Sequence, residues 1–160
     1  MSTHKKFSGI SIRKITGGKD PTRIIQDMIV SLDFDPKECE KSKTADGGRW
    51  VIPISDSQEL EILADGLKNV QTGTVYLGLN ICLVPLRDAH ALLTVALELA
   101  DGLVGIKVSL VGHSLILSAT LGASGLTLDE LEYHYKLITA QESWFKEKLL
   151  AELGWEELPG

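Results

Sequence analysis

The chain is poor in the residues that build small cross-linked or metal-bearing domains. It has two cysteines in 160 residues, Cys39 and Cys82, too few and too far apart for a disulfide framework or a zinc site. Aromatic residues make up 6% and prolines number five. No uncharged apolar run reaches the ~18 residues that read as a membrane-crossing helix. The basic N-terminus is not followed by the apolar stretch of a secretory signal, so the chain is expected in the cytoplasm. No internal repeat is found at any period, which excludes solenoid and collagen-like readings. What is present is 44% hydrophobic and 24% charged, which excludes wholesale disorder and fits one compact domain. A chain this long buries roughly two thirds of its unfolded surface without metal or disulfide.

Charge is divided unevenly along the chain. Residues 1–19 carry Lys5, Lys6, Arg13, Lys14 and Lys19 and no acid, whereas residues 20–160 carry 11 basic and 22 acidic side chains. An acidic body repels phosphate, so nucleic acid is not an expected partner. The arm is expected to fold back on that body rather than reach an anionic surface. The organisation read from the sequence is therefore an arm (1–19), a single domain (20–154) and a short tail (155–160).

Local signals place the elements. Phe7, Ile10, Ile12 and Ile15 in the arm alternate in part and would suit a short edge strand. Asp20-Pro21 is a cap followed by a proline at the first helical position, and Ile24, Ile25, Met28, Ile29 and Leu32 recur at helical spacing, predicting a helix over 21–33. Residues 35–49 are polar and rich in turn formers; they read as a loop holding at most a weak strand. Alternation predicts strands over 50–54 and 60–64, joined by Ser55-Asp56-Ser57. A third strand, 74–84, has one apolar face and a second that is half polar, as a central strand covered in part on both sides would.

A second helix, about 86–101, is apolar nearly all round except for a stripe of Arg87, His90, Thr94, Glu98 and Asp101. Such a helix must be buried on more than one side, by other helices or by a second subunit. Ile106–Leu110 and Leu115–Leu121 then predict a hairpin, with Gly112-His113 fitting a type II′ turn. The last helix opens on a capping box, Thr127-Leu128-Asp129-Glu130, with Leu126 and Leu131 as its hydrophobic staple, and closes at Gly154.

The motifs that would carry chemistry do not hold together. Glu130 and His134 share a helical face as a metal pair would, but no third ligand of matching type lies near in sequence. Gly112-His113-Ser114-Leu115-Ile116 lacks the second glycine and the strand-to-helix setting of a nucleophile elbow. Thr16-Gly17-Gly18-Lys19 lacks a preceding core strand and a hydroxyl residue after the lysine, and Asp20 would repel a phosphate. No catalytic residue, metal ligand or cofactor is expected. Trp144, off the main apolar stripe of the last helix, and Trp155, beyond its stop, are the candidates for partner contact.

The order helix, three strands, helix, two strands, long helix resembles the type III secretion chaperone-like fold, in particular the bacterial YbjN-like family. The resemblance covers about residues 20–153. It is most specific over Ile106–Leu117 (IKVSLVGHSLIL) and over Gly125–Leu131 (GLTLDEL), where members similarly show a short hairpin followed by an LT-x-(D/E)-E-L start to the last helix. The arm and residues 35–49 depart from that pattern. The resemblance implies an α+β fold with an antiparallel sheet packed by helices, and a small acidic, non-enzymatic protein that binds another protein, often as a homodimer. Apolar grooves beside the sheet would receive an extended or helical segment. The over-apolar second helix agrees, and Leu92, Val95, Ala96 and Leu99 are its candidate dimer contacts. The alternative is a small-ligand binder or enzyme whose site is assembled from residues distant in sequence.

Overall fold

A computed structural model describes residues 20–160; the strand and phosphate-loop readings of the arm lie outside them. The first helix, α1 (Pro21–Ser31), starts as the sequence predicts: the Asp20 carboxylate accepts the Thr22 N–H at 3.1 Å and Pro21 takes the first helical position. Ile24, Ile25, Met28 and Ile29 form its buried face.

Residues 35–49 are more ordered than a loop. They form a one-turn helix α2 (Pro36–Cys39), the strand β1 (Glu40–Thr44) and the start of β2 (Gly47–Ser55). β1 has the sequence EKSKT and lies largely in solvent, so no apolar alternation marks it. Backbone pairing with β2 makes it a strand, interrupted by an irregularity between Glu40 and Ser42. After β3 (Gln58–Asp65) and β4 (Thr74–Leu83), helix α3 (Ala89–Ala100) begins three residues later than the sequence suggests, because residues 86–88 form a turn after Pro85. The hairpin β5 (Lys107–Val111) and β6 (Ser114–Gly122) turns at Gly112, whose φ of +59° a side chain would strain. α4 (Leu128–Leu153) starts where the Thr127 hydroxyl accepts the Glu130 N–H at 3.2 Å and stops at Gly154, φ +68°.

The six strands form one sheet in the order β1-β2-β3-β4-β6-β5, and every neighbouring pair is antiparallel. The fold is therefore α+β as expected, with one strand more than the sequence revealed. Register puts Trp50 opposite Ile62, Ile62 opposite Leu77 and Leu77 opposite Ala119, so one face of the sheet is continuously apolar. α1 and α4 cover that face, and α3 packs on α4 and β5. Phe145, Ile138 and Leu149 of α4 are fully buried there, as are Met28 and Ile25 of α1. At ~1.5 Å per residue, α4 is about 39 Å long and spans the sheet. Beyond it the tail does not stand off: Trp155 and Leu158 pack against the core, and the Pro159 carbonyl accepts the Leu83 N–H at 2.9 Å.

Candidate functional site

Two surfaces of the described chain have chemistry to offer. The first is the sheet face that the helices leave uncovered. Val51, Tyr76, Gly78 and Ile116 floor a cavity of about 770 Å³ there. The Tyr76 ring lies over Gly78: a Cβ at Gly78 would come within 2.6 Å of the tyrosine hydroxyl oxygen, so glycine is what lets the ring lie flat. That hydroxyl is buried with no partner in hydrogen-bonding geometry; burial pushes the phenol up, and the neighbouring Ser118 hydroxyl offsets only part of this. Ser118, itself fully buried, has its hydroxyl 2.8 Å from that of Ser109 across the β5–β6 pair.

The rim of this cavity is charged, and much of that charge is paired. Arg49 Nε lies 2.6 Å from Glu61 Oε2, and Lys146 Nζ lies 2.6 Å from Glu142 Oε1. Gln58 donates through Nε2 to the Asn80 carbonyl and to Glu142 Oε1, each at 3.3 Å, tying the β2–β3 turn to α4. Burial works against the Glu142 carboxylate, but hydrogen bonds from Lys146 and Gln58 outweigh it and hold the carboxyl below its ordinary value. Cys82, at the end of the cavity, is pushed up to about 11 by burial, so its thiol stays protonated and is a poor nucleophile near neutrality. Burial likewise raises Cys39.

The second surface is the corner between α3 and β5. Leu97 on α3 is 65% exposed, Leu86 before its start 91%, and Val104 in the loop after it and Leu110 on β5 are also open to solvent. The loop between α3 and β5 is clamped to α4 by one side-chain amide: the Val104 N–H donates to Gln141 Oε1, and Gln141 Nε2 donates to the Val104 carbonyl, both at 2.9 Å.

The dimer-contact residues read from the sequence differ in burial. Leu92 and Ala96 are fully buried within the single chain, and Val95 and Leu99 are half-buried against its core. A helix that is apolar nearly all round does not reveal which part of its circumference its own chain takes, and here α4 takes the part that carries Leu92 and Ala96. The exposed apolar side chains belong to Leu97 on α3 and to Leu86 just before it. Trp144 sits over Gly102 at the end of α3, where a Cβ would come within 2.9 Å of the indole, and keeps an exposed edge. Trp155 is largely taken up by the core.

The histidine motifs resolve into local contacts. His134 Nδ1 is 2.9 Å from the Glu130 backbone carbonyl, and its ring meets Tyr133 edge-on, with Glu130 exposed beside it. His113 is exposed in the hairpin turn, its carbonyl accepting the Val84 N–H at 2.7 Å. Among the described residues, no three His, Cys, Asp or Glu side chains are grouped so as to hold a metal ion. No helix among them is long and apolar enough to cross a membrane. Sequence reasoning missed the Tyr76–Gly78 contact and the Gln141 clamp. A glycine inside a strand was the available signal for the first; nothing local marks the second.

No protein-family model and no curated protein matches the chain at a significant level. Solved structures do match. A chain of the ExsC–ExsE complex superposes with a TM-score of 0.55 and 11% identity, covering 80% of this chain and 92% of that one. A chain of the HopA1–SchA chaperone–effector complex gives 0.53 and 15% over 78% and 91%. A chain of the heterodimeric ExoU–SpcU complex, from the type III secretion system of Pseudomonas aeruginosa, gives 0.50 and 14% over 78% and 96%. At such identities the likeness is one of architecture: the chain has the type III secretion chaperone-like fold.

Proposed function

We propose that the chain is a non-enzymatic protein-binding domain, chaperone-like or regulatory and of the YbjN-like kind, that acts in the cytoplasm as a homodimer. The observation that carries this reading is the α3–β5 corner. Leu97, Val104 and Leu110, on α3, the loop after it and the neighbouring β5, are large apolar side chains left exposed, and apolar surface of that kind marks interaction sites on soluble proteins.

The two edges of the sheet sharpen the point. β1 carries two lysines and an irregular register, the devices by which edge strands resist pairing. β5 (KVSLV) has one lysine at its start and, among the described residues, pairs with β6 alone, leaving its outer backbone groups without a strand partner there. A second copy related by a two-fold axis would bring two such corners together, with Trp144 at the margin. The likeness to chains solved in chaperone–effector and heterodimeric complexes supports a protein ligand, and the open sheet face is where its extended or helical segment would lie. The alternative, a small ligand in that cavity, draws on its volume, which falls within the range of small-molecule sites.

Sedimentation tests the dimer. At tens of micromolar, roughly the concentration at which weak dimers form, the wild type should sediment at twice 17.4 kDa. The Leu97→Lys/Leu110→Lys double variant should sediment as a folded monomer. A wild-type monomer would rule the dimer out. For the ligand, affinity capture with the wild type should retain a protein that the open-face variant Ile116→Glu loses. Equal capture by both would move the binding surface elsewhere.

A further inference from the structure

We propose that the basic N-terminal arm docks on the open face of its own chain's sheet, in the cavity floored by Val51, Tyr76 and Ile116. Three features of that face call for an occupant. Its floor carries the apolar side chains of Val51 and Ile116 although no helix of the described residues crosses it: α1 and α3 pack elsewhere, and α4 reaches the cavity only at its rim, through Lys146. Its rim is acidic beyond what the domain itself neutralises: Glu61 is paired with Arg49, but Asp56 and Glu59 form no ion pair among the described residues. The Tyr76 hydroxyl at its floor is buried without a partner, an arrangement that native proteins seldom leave unmade.

The arm has the complementary chemistry. Its five basic side chains and absence of acid face a body with 22 acids against 11 bases. Ile10 and Ile12 alternate with Ser11 and Arg13, so an extended arm would turn methyl groups to the floor and hydroxyl and guanidinium groups away from it. Ser8, on the same side of an extended arm as Ile10 and Ile12, and the backbone itself would supply a hydrogen-bond partner for Tyr76.

Reach does not select the site, because 19 extended residues span roughly 60 Å and pass any face of the domain. Chemistry does. A second cavity lies at the very start of α1, lined by Pro21, Leu67, Ala123 and Leu126, and is nearer to where the arm enters. There the single acid Asp20 is matched by the single base Lys43, so nothing electrostatic holds a cationic segment. A docked arm would also compete with a protein ligand for the open face; that consequence alone rests on the function proposed above.

Photo-crosslinking of the full chain tests the docking with no partner present. A benzophenone amino acid carried in place of Ile10 should crosslink to the strand segments around Val51, Tyr76 and Ile116. In an equimolar mixture of isotope-labelled and unlabelled protein, the crosslinks should be within one chain. Their yield should fall about fivefold between low salt and about 1 M salt, where the screening length shrinks to about 3 Å. It should fall as far in the Lys5→Glu/Lys6→Glu/Arg13→Glu/Lys14→Glu variant, whose domain should melt as the wild type does. Crosslinks at the α1 cavity, at the α3–β5 corner or between chains would overturn the proposal, as would a yield indifferent to salt and arm charge. Each of these outcomes leaves the protein-binding reading to its own test.

Discussion

On the helix-covered face the strands present Trp50, Ile62, Leu77 and Leu117, all fully buried; on the other face the same strands present Arg49, Glu61, Tyr76 and Ile116, none of them fully buried. Both sets come from one alternation, read one residue apart. The covered face is held by burial, with apolar side chains of α1 and α4 packed on it away from solvent. The open face is held by pairs: Arg49 with Glu61, Ser109 with Ser118, and a tyrosine ring laid over a glycine. Each face also has one buried polar group without a partner, the Trp50 indole N–H and the Tyr76 hydroxyl. The first is sealed under helices. The second borders a cavity that a peptide segment can enter. The covered face thus secures the fold, and the open face is free to be used.

Truncation should separate the faces most sharply. Phe145→Ala removes a fully buried ring from the covered side and should cost about 3–5 kcal/mol. Ile116→Ala, half-buried on the open side, should cost only about 1 kcal/mol. Denaturant unfolding of both variants gives the comparison directly, and equal costs would erase the distinction.

The next effect lies at the start of α4, the helix that spans the covered face. Thr127→Ala deletes the acceptor for the Glu130 N–H and should lower stability by about 1 kcal/mol, read as a shifted denaturant midpoint with an unchanged slope. An unchanged midpoint would show that this cap does not govern how α4 is seated.

The smallest effect lies where the two faces meet, at Glu142. Its carboxyl is held below the ordinary value of 4.5, so the folded state favours the carboxylate more than the unfolded state does. The resulting stability is full above that ordinary value and is lost as pH falls through the lower folded one. Glu142→Gln should cost about 0.5 kcal/mol near pH 7, as partly exposed ion pairs do. The gap between variant and wild type should close in acid. A gap that persists there would assign the effect to packing rather than to charge.

Much of the fold was legible because its signals are local. Asp20-Pro21 starts α1, Thr127 starts α4, Gly154 ends it and Gly112 turns the hairpin, each through a bond or a backbone angle within four residues. The strands of the sheet's middle declared themselves by alternation, because one of their faces is buried and the other is not. β1 did not, since solvent wets both its faces and only its neighbour's backbone makes it a strand. The candidate surfaces were less legible still. Leu92 and Ala96 have the same chemistry as Leu97, and periodicity places all three on an apolar helix without saying which of them α4 covers.

By itself, then, the sequence determined where helices and turns begin and end, which residues share a strand face, and that charge is split between a basic arm and an acidic body. These follow from capping geometry, side-chain period and simple summation, none of which needs a distant contact. Only the tertiary structure decided that the described residues form a six-stranded sheet, that α1 and α4 cover one face of it with α3 packed on α4, and that Tyr76 shelters over Gly78 beside an open cavity. It also decided which part of α3 remains exposed. Those outcomes depend on which surfaces meet across long stretches of chain, and burial is a property of the meeting rather than of either residue alone.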